Sequence, residues 1–216
     1  MAYRLLSLAI SETRPGVGEF NVIALEMSKF DIIPISLRKE NIITSSGEIV
    51  WDLGRVTIAE DIERDPFSLG KNTVYKANDC HLSDEAVNLR SLLDEYSTVD
   101  IEDYFGNSAE RFAIVKVRVV DKILLSPDKT SFFKSRLVVY IQGIAEPKNL
   151  LNKDYRWVNY WHWQTQQKNS DQIRTDMLRY ANLLNRNDKK LYLILYKHHF
   201  EKDNRHEIWI AGMHWL

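Results

Sequence analysis

The sequence predicts a mainly β protein with two α-helices (α+β), folded as two small β modules. Short runs rich in Ile, Val and aromatic residues recur along the 216 residues, broken by clusters of Gly, Pro, Ser, Asn and Asp. Two segments carry helical periodicity together with caps that agree with it. The charge changes sign at mid-chain: residues 1–108 hold 10 Lys+Arg against 19 Asp+Glu, and residues 109–216 hold 19 against 11. With 44% hydrophobic residues, each half can bury a core of its own.

In the acidic half the expected strands are 3–10, 20–27, 30–37, 48–51, 54–59 and 73–77. The second and third flank Ser28-Lys29, a connection short enough for a tight hairpin. The first helix is expected from Ser83 as N-cap, with Asp84 and Glu85 in its first turn and Val87, Leu89, Leu92, Leu93 and Tyr96 on one face. Turn residues Phe105-Gly106-Asn107-Ser108 coincide with the change of charge, which divides the chain into an acidic module, 1–106, and a basic, aromatic-rich module, 107–216. There the expected strands are 111–125, 131–145, 155–163, 190–199 and 206–214. The second helix is expected to begin at Ser170, with Asp171 behind it, and to end near Asn185-Arg186-Asn187, with Ile173, Met177, Leu178, Ala181 and Leu184 on its core stripe.

Cys80 is the single cysteine, so no intrachain disulfide framework or thiolate cluster exists. The apolar run Leu5 to Ile10 is too short for a signal peptide and is followed at once by Glu12. No stretch reaches the roughly 20 apolar residues of a membrane helix. The expectation is a cytoplasmic protein with no membrane partner.

No complete catalytic motif is present. Gly-x-x-x-x-Gly-Lys-Ser/Thr, Gly-x-Gly-x-x-Gly and Gly-x-Ser-x-Gly are all missing, and Ala113-Ile114-Val115-Lys116 has the lysine of a nuclease strand without its acid. The acidic stretches Glu60–Asp65 and Asp100–Asp103 read as surface turns. Five of the six histidines, His162, His198, His199, His206 and His214, fall late, yet none stands in a metal-binding pattern. No catalytic residue, metal or cofactor is therefore expected.

The strongest constellation lies on the two long strands of the basic half. Alternation places Lys116 and Arg118 on one face of the first, and Phe132, Lys134, Arg136 and Tyr140 on one face of the second. Paired as a hairpin across Ser126-Pro127-Asp128, they make one basic, aromatic-flanked surface. Such a surface suits single-stranded DNA or RNA, because cations neutralise phosphates and rings stack on bases. A solvated sheet face, with Lys and Arg stems covering apolar groups, explains the same pattern equally well. In the run Tyr155 to Trp163, a strand would put Trp157, Trp161 and Trp163 on a buried side, leaving Arg156 and Tyr160 for phosphate and base. Asn159 or Gln164 would then satisfy the buried indole N–H groups.

Leu6-Ser7-Leu8-Ala9-Ile10-Ser11, leading through a glycine-containing turn to a second strand, then Ile33-Pro34-Ile35-Ser36 and later Asp52-Leu53-Gly54-Arg55-Val56-Thr57-Ile58, resemble the start of the dual OB-fold domains of prokaryotic conflict systems. The resemblance covers about a quarter of the chain. It implies two small OB-like barrels, a fold that holds single strands on a barrel face. Asp31-Ile32-Ile33 departs from the basic or aromatic pair that the family would place there, so no site residue is carried over.

Together these observations predict a non-enzymatic accessory protein that holds single-stranded nucleic acid on its basic half, its acidic half docking a protein partner or a second copy. The alternative is an adaptor or regulatory subunit whose opposed charges serve protein association alone.

Overall fold

In a computed structural model the described residues are 2–12, 18–66, 68, 72–98, 100–106, 109–127, 133–200, 202 and 205–216. They form two compact units, Met1–Leu89 and Arg90–Leu216.

The first unit contains β1 (Tyr3–Glu12), β2 (Glu19–Glu26), β3 (Asp31–Arg38), the one-turn α1 (Lys39–Ile42), β4 (Val56–Arg64) and β5 (Tyr75–Leu82). These strands close into a barrel in the order β1-β2-β3-β5-β4, with β3 and β5 parallel and β4 returning to β1. Leu5, Leu6, Leu8, Val22, Ile35 and Val56 are fully buried. Their burial is what the apolar strand runs require.

The hairpin expected at Ser28-Lys29 forms between β2 and β3, with Glu26 opposite Asp31. Phe30, in the left-handed region at φ 60°, turns the chain, and its N–H donates to Glu26 O at 2.7 Å. The Glu26 carboxylate then accepts from Ser28 and from the Lys29 N–H. Burial alone would push that carboxyl up; these bonds outweigh it and hold it below its ordinary value. A carboxylate replaces the usual Asn-Gly chemistry as the lock on this turn.

The second unit contains most of α2 (Leu89–Glu95), then α3 (Ile101–Phe105), β6 (Phe112–Pro127), β7 (Phe133–Ile141), β8 (Lys148–Asn152), α4 (Tyr155–Gln167), α5 (Ser170–Leu184), β9 (Leu191–Phe200) and β10 (Arg205–Trp215). Its barrel closes in the order β10-β8-β7-β6-β9. Counted from β6, that is the first-second-third-fifth-fourth order of the first unit, again with third and fifth strands parallel. Both units are therefore five-stranded OB-like barrels, and the chain is mainly β with five helices among the described residues. No helix there is long and apolar enough to cross a membrane.

The two barrels differ between their third and fourth strands. The first has only α1 there, whereas the second has α4 and α5, which cap its core. Trp161 and Ala181 join Leu137, Val139, Leu193 and Ile210 in that core, with Trp157, Tyr160, Ile173, Met177 and Tyr180 packed against it.

Several expectations are corrected. The run 155–163 is the first part of a helix, because Asp154 caps it: its Oδ1 accepts from the N–H groups of Arg156 at 2.9 Å and Trp157 at 3.2 Å. Trp157, Trp161 and Gln164 then fall on one helical face, while Trp163 is 56% exposed. The Trp157 indole donates to Ser135 Oγ at 2.7 Å, a partner on β7 rather than Asn159 or Gln164. The first helix starts at Leu89, not Ser83. Ser83 N–H extends the sheet edge by donating to Val56 O at 2.8 Å, and its hydroxyl holds a local turn by accepting from Glu85 N–H. Residues 48–51 hold a single bridge, Ile43 to Ile49, in place of a strand. Strand β8 was not expected.

The second helix starts where expected, with Asn169 as the cap one residue earlier, and Leu178 faces outward at 64% exposure. The units divide at Leu89/Arg90, ahead of the charge change near 106. Ile101 and Tyr104 of α3 belong to the second barrel's core, so packing carries this acidic segment into the basic half.

Candidate nucleic-acid interface

The β6–β7 hairpin forms, and Lys116, Arg118, Lys134, Arg136 and Tyr140 all lie on it. They do not make one surface. Ser126 faces Lys134 and Leu124 faces Arg136, whereas Tyr140 faces Val119 and Gln142 N–H donates to Lys116 O. Lys134 and Tyr140 are thus about 20 Å apart along β7 at ~3.3 Å per residue. Two register shifts in β6, between Val117 and Val119 and between Val120 and Lys122, bend the strand around the barrel and break the simple alternation.

At the Tyr140 end, Arg118 lies over the Tyr140 ring at 5.9 Å and donates to Ile144 O at 3.1 Å. Lys116 is held by Asp94 at 2.7 Å, and Asp94 also accepts from the Tyr192 hydroxyl at 2.9 Å and meets Lys190 at 3.4 Å. The Lys116 and Tyr192 bonds, then Lys190, hold the Asp94 carboxyl at about 2. Lys116 is thereby tied into an ion cluster with Asp94, Tyr192 and Lys190.

Arg156 lies on α4, where its Nη2 donates to Met213 O at 2.8 Å. Tyr160 packs among Trp161 and Tyr180, and burial pushes its phenol well up. Neither shares a surface with the hairpin cations by strand alternation, since α4 is a helix. Phe132 lies outside the described residues.

At the other end, Lys134 is exposed and Arg136 is half-buried, its Nη1 donating to Asn149 O at 3.3 Å. Arg136 also lines a cleft of about 340 Å³ together with Lys148, Leu151, Glu207, Trp209 and Phe105. The cleft has a topological origin. Strands β8 and β10 pair through only Trp209–Leu151 and Ile210–Asn152, and the lining residues lie on both strands from that ladder toward their N-terminal ends. In OB folds the face of the second and third strands and the loops joining strands one-two and four-five carry oligonucleotides. Here those strands are β7 and β8, and the first residues of β10, His206 and Glu207, line the same cleft.

An aromatic strip continues from the cleft over the outer face of β9 and β10. His198 stacks on Trp209 at 4.2 Å and 13°, Phe200 meets His198 edge-on at 4.6 Å, and Tyr196 stacks on Phe112 at 5.5 Å. Cations rest on these rings: Lys153 over Trp209 at 5.3 Å, Arg205 over Phe200 at 4.8 Å and Arg111 over Tyr196 at 5.1 Å. Burial, with the Arg111 guanidinium nearby, holds the His198 imidazole below its ordinary value, so it is neutral at pH 7.

Trp209, His198, Phe200, Lys148 and Arg205 were missed as candidate residues. The alternation Tyr192, Ile194, Tyr196, His198, Phe200 was a usable signal. The cross-strand pairs that complete it, Trp209 opposite Tyr196 and Glu207 opposite His198, depend on the hairpin register.

No family model matches the chain, and no curated protein matches it. Among solved structures it is similar to one of a replication protein A heterotrimer bound to ssDNA, with a TM-score of 0.43 and 11% identity over 100% of this chain and 48% of that chain. The chain spans about half the length of that neighbour.

Proposed function

We propose that the second unit binds single-stranded DNA or RNA, without converting it, along β7, β8 and the β9–β10 hairpin. The observation that carries this reading is the cleft where Arg136, Lys148 and Trp209 meet on the second-and-third-strand side of an OB-like barrel. Guanidinium and ammonium groups neutralise phosphate, while bases would stack, irrespective of sequence, by displacing the Lys153 and Arg205 cations that rest on the Trp209 and Phe200 rings. Lys134, two residues from Arg136 on the same strand face, extends the phosphate track toward the β6–β7 connection.

The test is fluorescence anisotropy of a labelled strand of about ten nucleotides, within the span of one OB fold, titrated across a salt gradient. Affinity should fall as salt rises. Arg136→Glu combined with Lys148→Glu should flatten the slope of log K against log salt by about 1.4, or ~0.7 per lost single-strand phosphate contact. Unchanged binding in that variant, or no binding by the parent at low salt, would sink the reading.

A second reading, docking of a protein partner or a second copy through the first unit, is favoured by the exposed carboxylates Glu60, Asp61 and Glu63 on β4. It predicts salt-dependent association in sedimentation without any oligonucleotide.

A further inference from the structure

Glu207 is the one carboxylate among the described residues lining the cleft, where it faces the same space as Arg136 and Lys148. A site that only gripped a polyanion would gain from its absence, because the carboxylate repels each phosphate the two cations attract. The group is also held in position. Trp209 Nε1–H donates to its Oε2 at 3.1 Å, and Arg205 Nη1 stands 3.6 Å from its Oε1, while the side chain remains 38% exposed. An oriented, accessible acceptor in a cationic cleft calls for a ligand group that donates.

The Watson–Crick edges of the bases differ in what they offer a carboxylate. Guanine presents two adjacent donors, N1–H and N2–H2, spaced for two carboxylate oxygens. Cytosine and adenine each present one amino donor beside a ring-nitrogen acceptor, which faces the second oxygen unfavourably. The N3–H of thymine or uracil lies between two carbonyl acceptors. A carboxylate therefore discriminates in favour of guanine and most strongly against thymine and uracil.

We propose that Glu207 reads the Watson–Crick edge of a guanine seated in this cleft, while Arg136 and Lys148 hold the flanking phosphates. This deepens the single-strand reading and rests on it. The Trp209 indole is then a positioning group, which fixes the carboxylate before the base arrives and so lowers the ordering cost of binding. A cleft of about 340 Å³ lies near the small end of the roughly 300–1,000 Å³ usual for small-ligand pockets, a size suited to one nucleoside rather than a duplex.

The experiment compares labelled dT strands of about ten nucleotides that carry a single central dG, dC, dA or dT, at low salt, against the parent and Glu207→Gln. The parent should bind the dG strand roughly 5- to 150-fold more tightly than all-dT, the range for one well-made base contact. In Glu207→Gln, whose fold is checked by circular dichroism, that ratio should collapse to near unity, with all-dT binding unchanged or tighter because a repelling charge is gone. Parent binding without preference for dG overturns the Glu207 proposal and leaves the single-strand reading standing. Equal loss on every strand in Glu207→Gln also overturns it, since the residue would then serve only the hairpin. No binding by the parent to any strand removes both.

Discussion

Asp154→Ala is the sharpest probe of how the second barrel is assembled. The side chain is 2% exposed and works in two directions. Oδ1 caps α4 through the N–H groups of Arg156 and Trp157, and Oδ2 accepts the Met213 N–H of β10 at 2.9 Å. Loss of the cap costs about 1 kcal/mol. Stranding the buried Met213 N–H costs about 1–3 kcal/mol more. The expected loss is therefore about 2–4 kcal/mol, a fall in melting temperature of about 10 °C for a unit of this size. Denaturant titration followed at the β10 amide signals measures it. Asp154→Asn separates the two roles, because its remaining carbonyl can keep the cap while its amide NH2 opposes the Met213 N–H. Hydrogen exchange should then quicken at Met213 and stay slow at Trp157. An alanine variant within about 0.5 kcal/mol of the parent, the range of an ordinary surface change, would refute this account of the junction.

Two further outcomes follow from local chemistry. Because the folded Asp94 carboxyl lies at about 2, below its unfolded value near 3.8, its contribution is fully present above that unfolded value and is lost as pH falls through about 2; Asp94→Asn should flatten this part of the acid-stability profile of the second unit. Gly54 sits at φ 74° with the site of a Cβ 3.1 Å from Leu89 Cδ2, so Gly54→Ala should destabilise the first unit by about 1–2 kcal/mol from backbone strain alone, read by thermal melting, and an unchanged melting temperature contradicts that strain.

Where a strand has one buried face, the sequence displays it. The apolar runs of β1, β2, β6, β9 and β10 were legible for that reason, and so was α5 with its caps. Strand β8, Lys-Asn-Leu-Leu-Asn, is too short to show a period and is recognisable only by its pairing with β7 and β10. The aromatic run 155–163 was ambiguous locally, since bulky rings favour strands; a single residue outside the run, Asp154, supplies the cap that makes it a helix. At the candidate site, alternation put Lys134 and Arg136 on one face of one strand, but it could not reveal the hairpin register, Pro127 opposite Phe133 and Leu124 opposite Arg136, that sets Lys116 and Arg118 far along β6 from them. The His198–Trp209 stack joins residues that meet only through register, which is information held by the fold as a whole.

The two-pair ladder between β8 and β10 has a thermodynamic corollary. A barrel closed by so few rungs at one seam is most easily opened there, and the proposed strand would lie across that very gap, touching β7 and β8 on one side and β10 on the other. Occupancy would act as an external rung: ligand and seam would share one free-energy cycle, so the bound barrel should resist opening by RT ln(1 + [L]/Kd) more than the empty one.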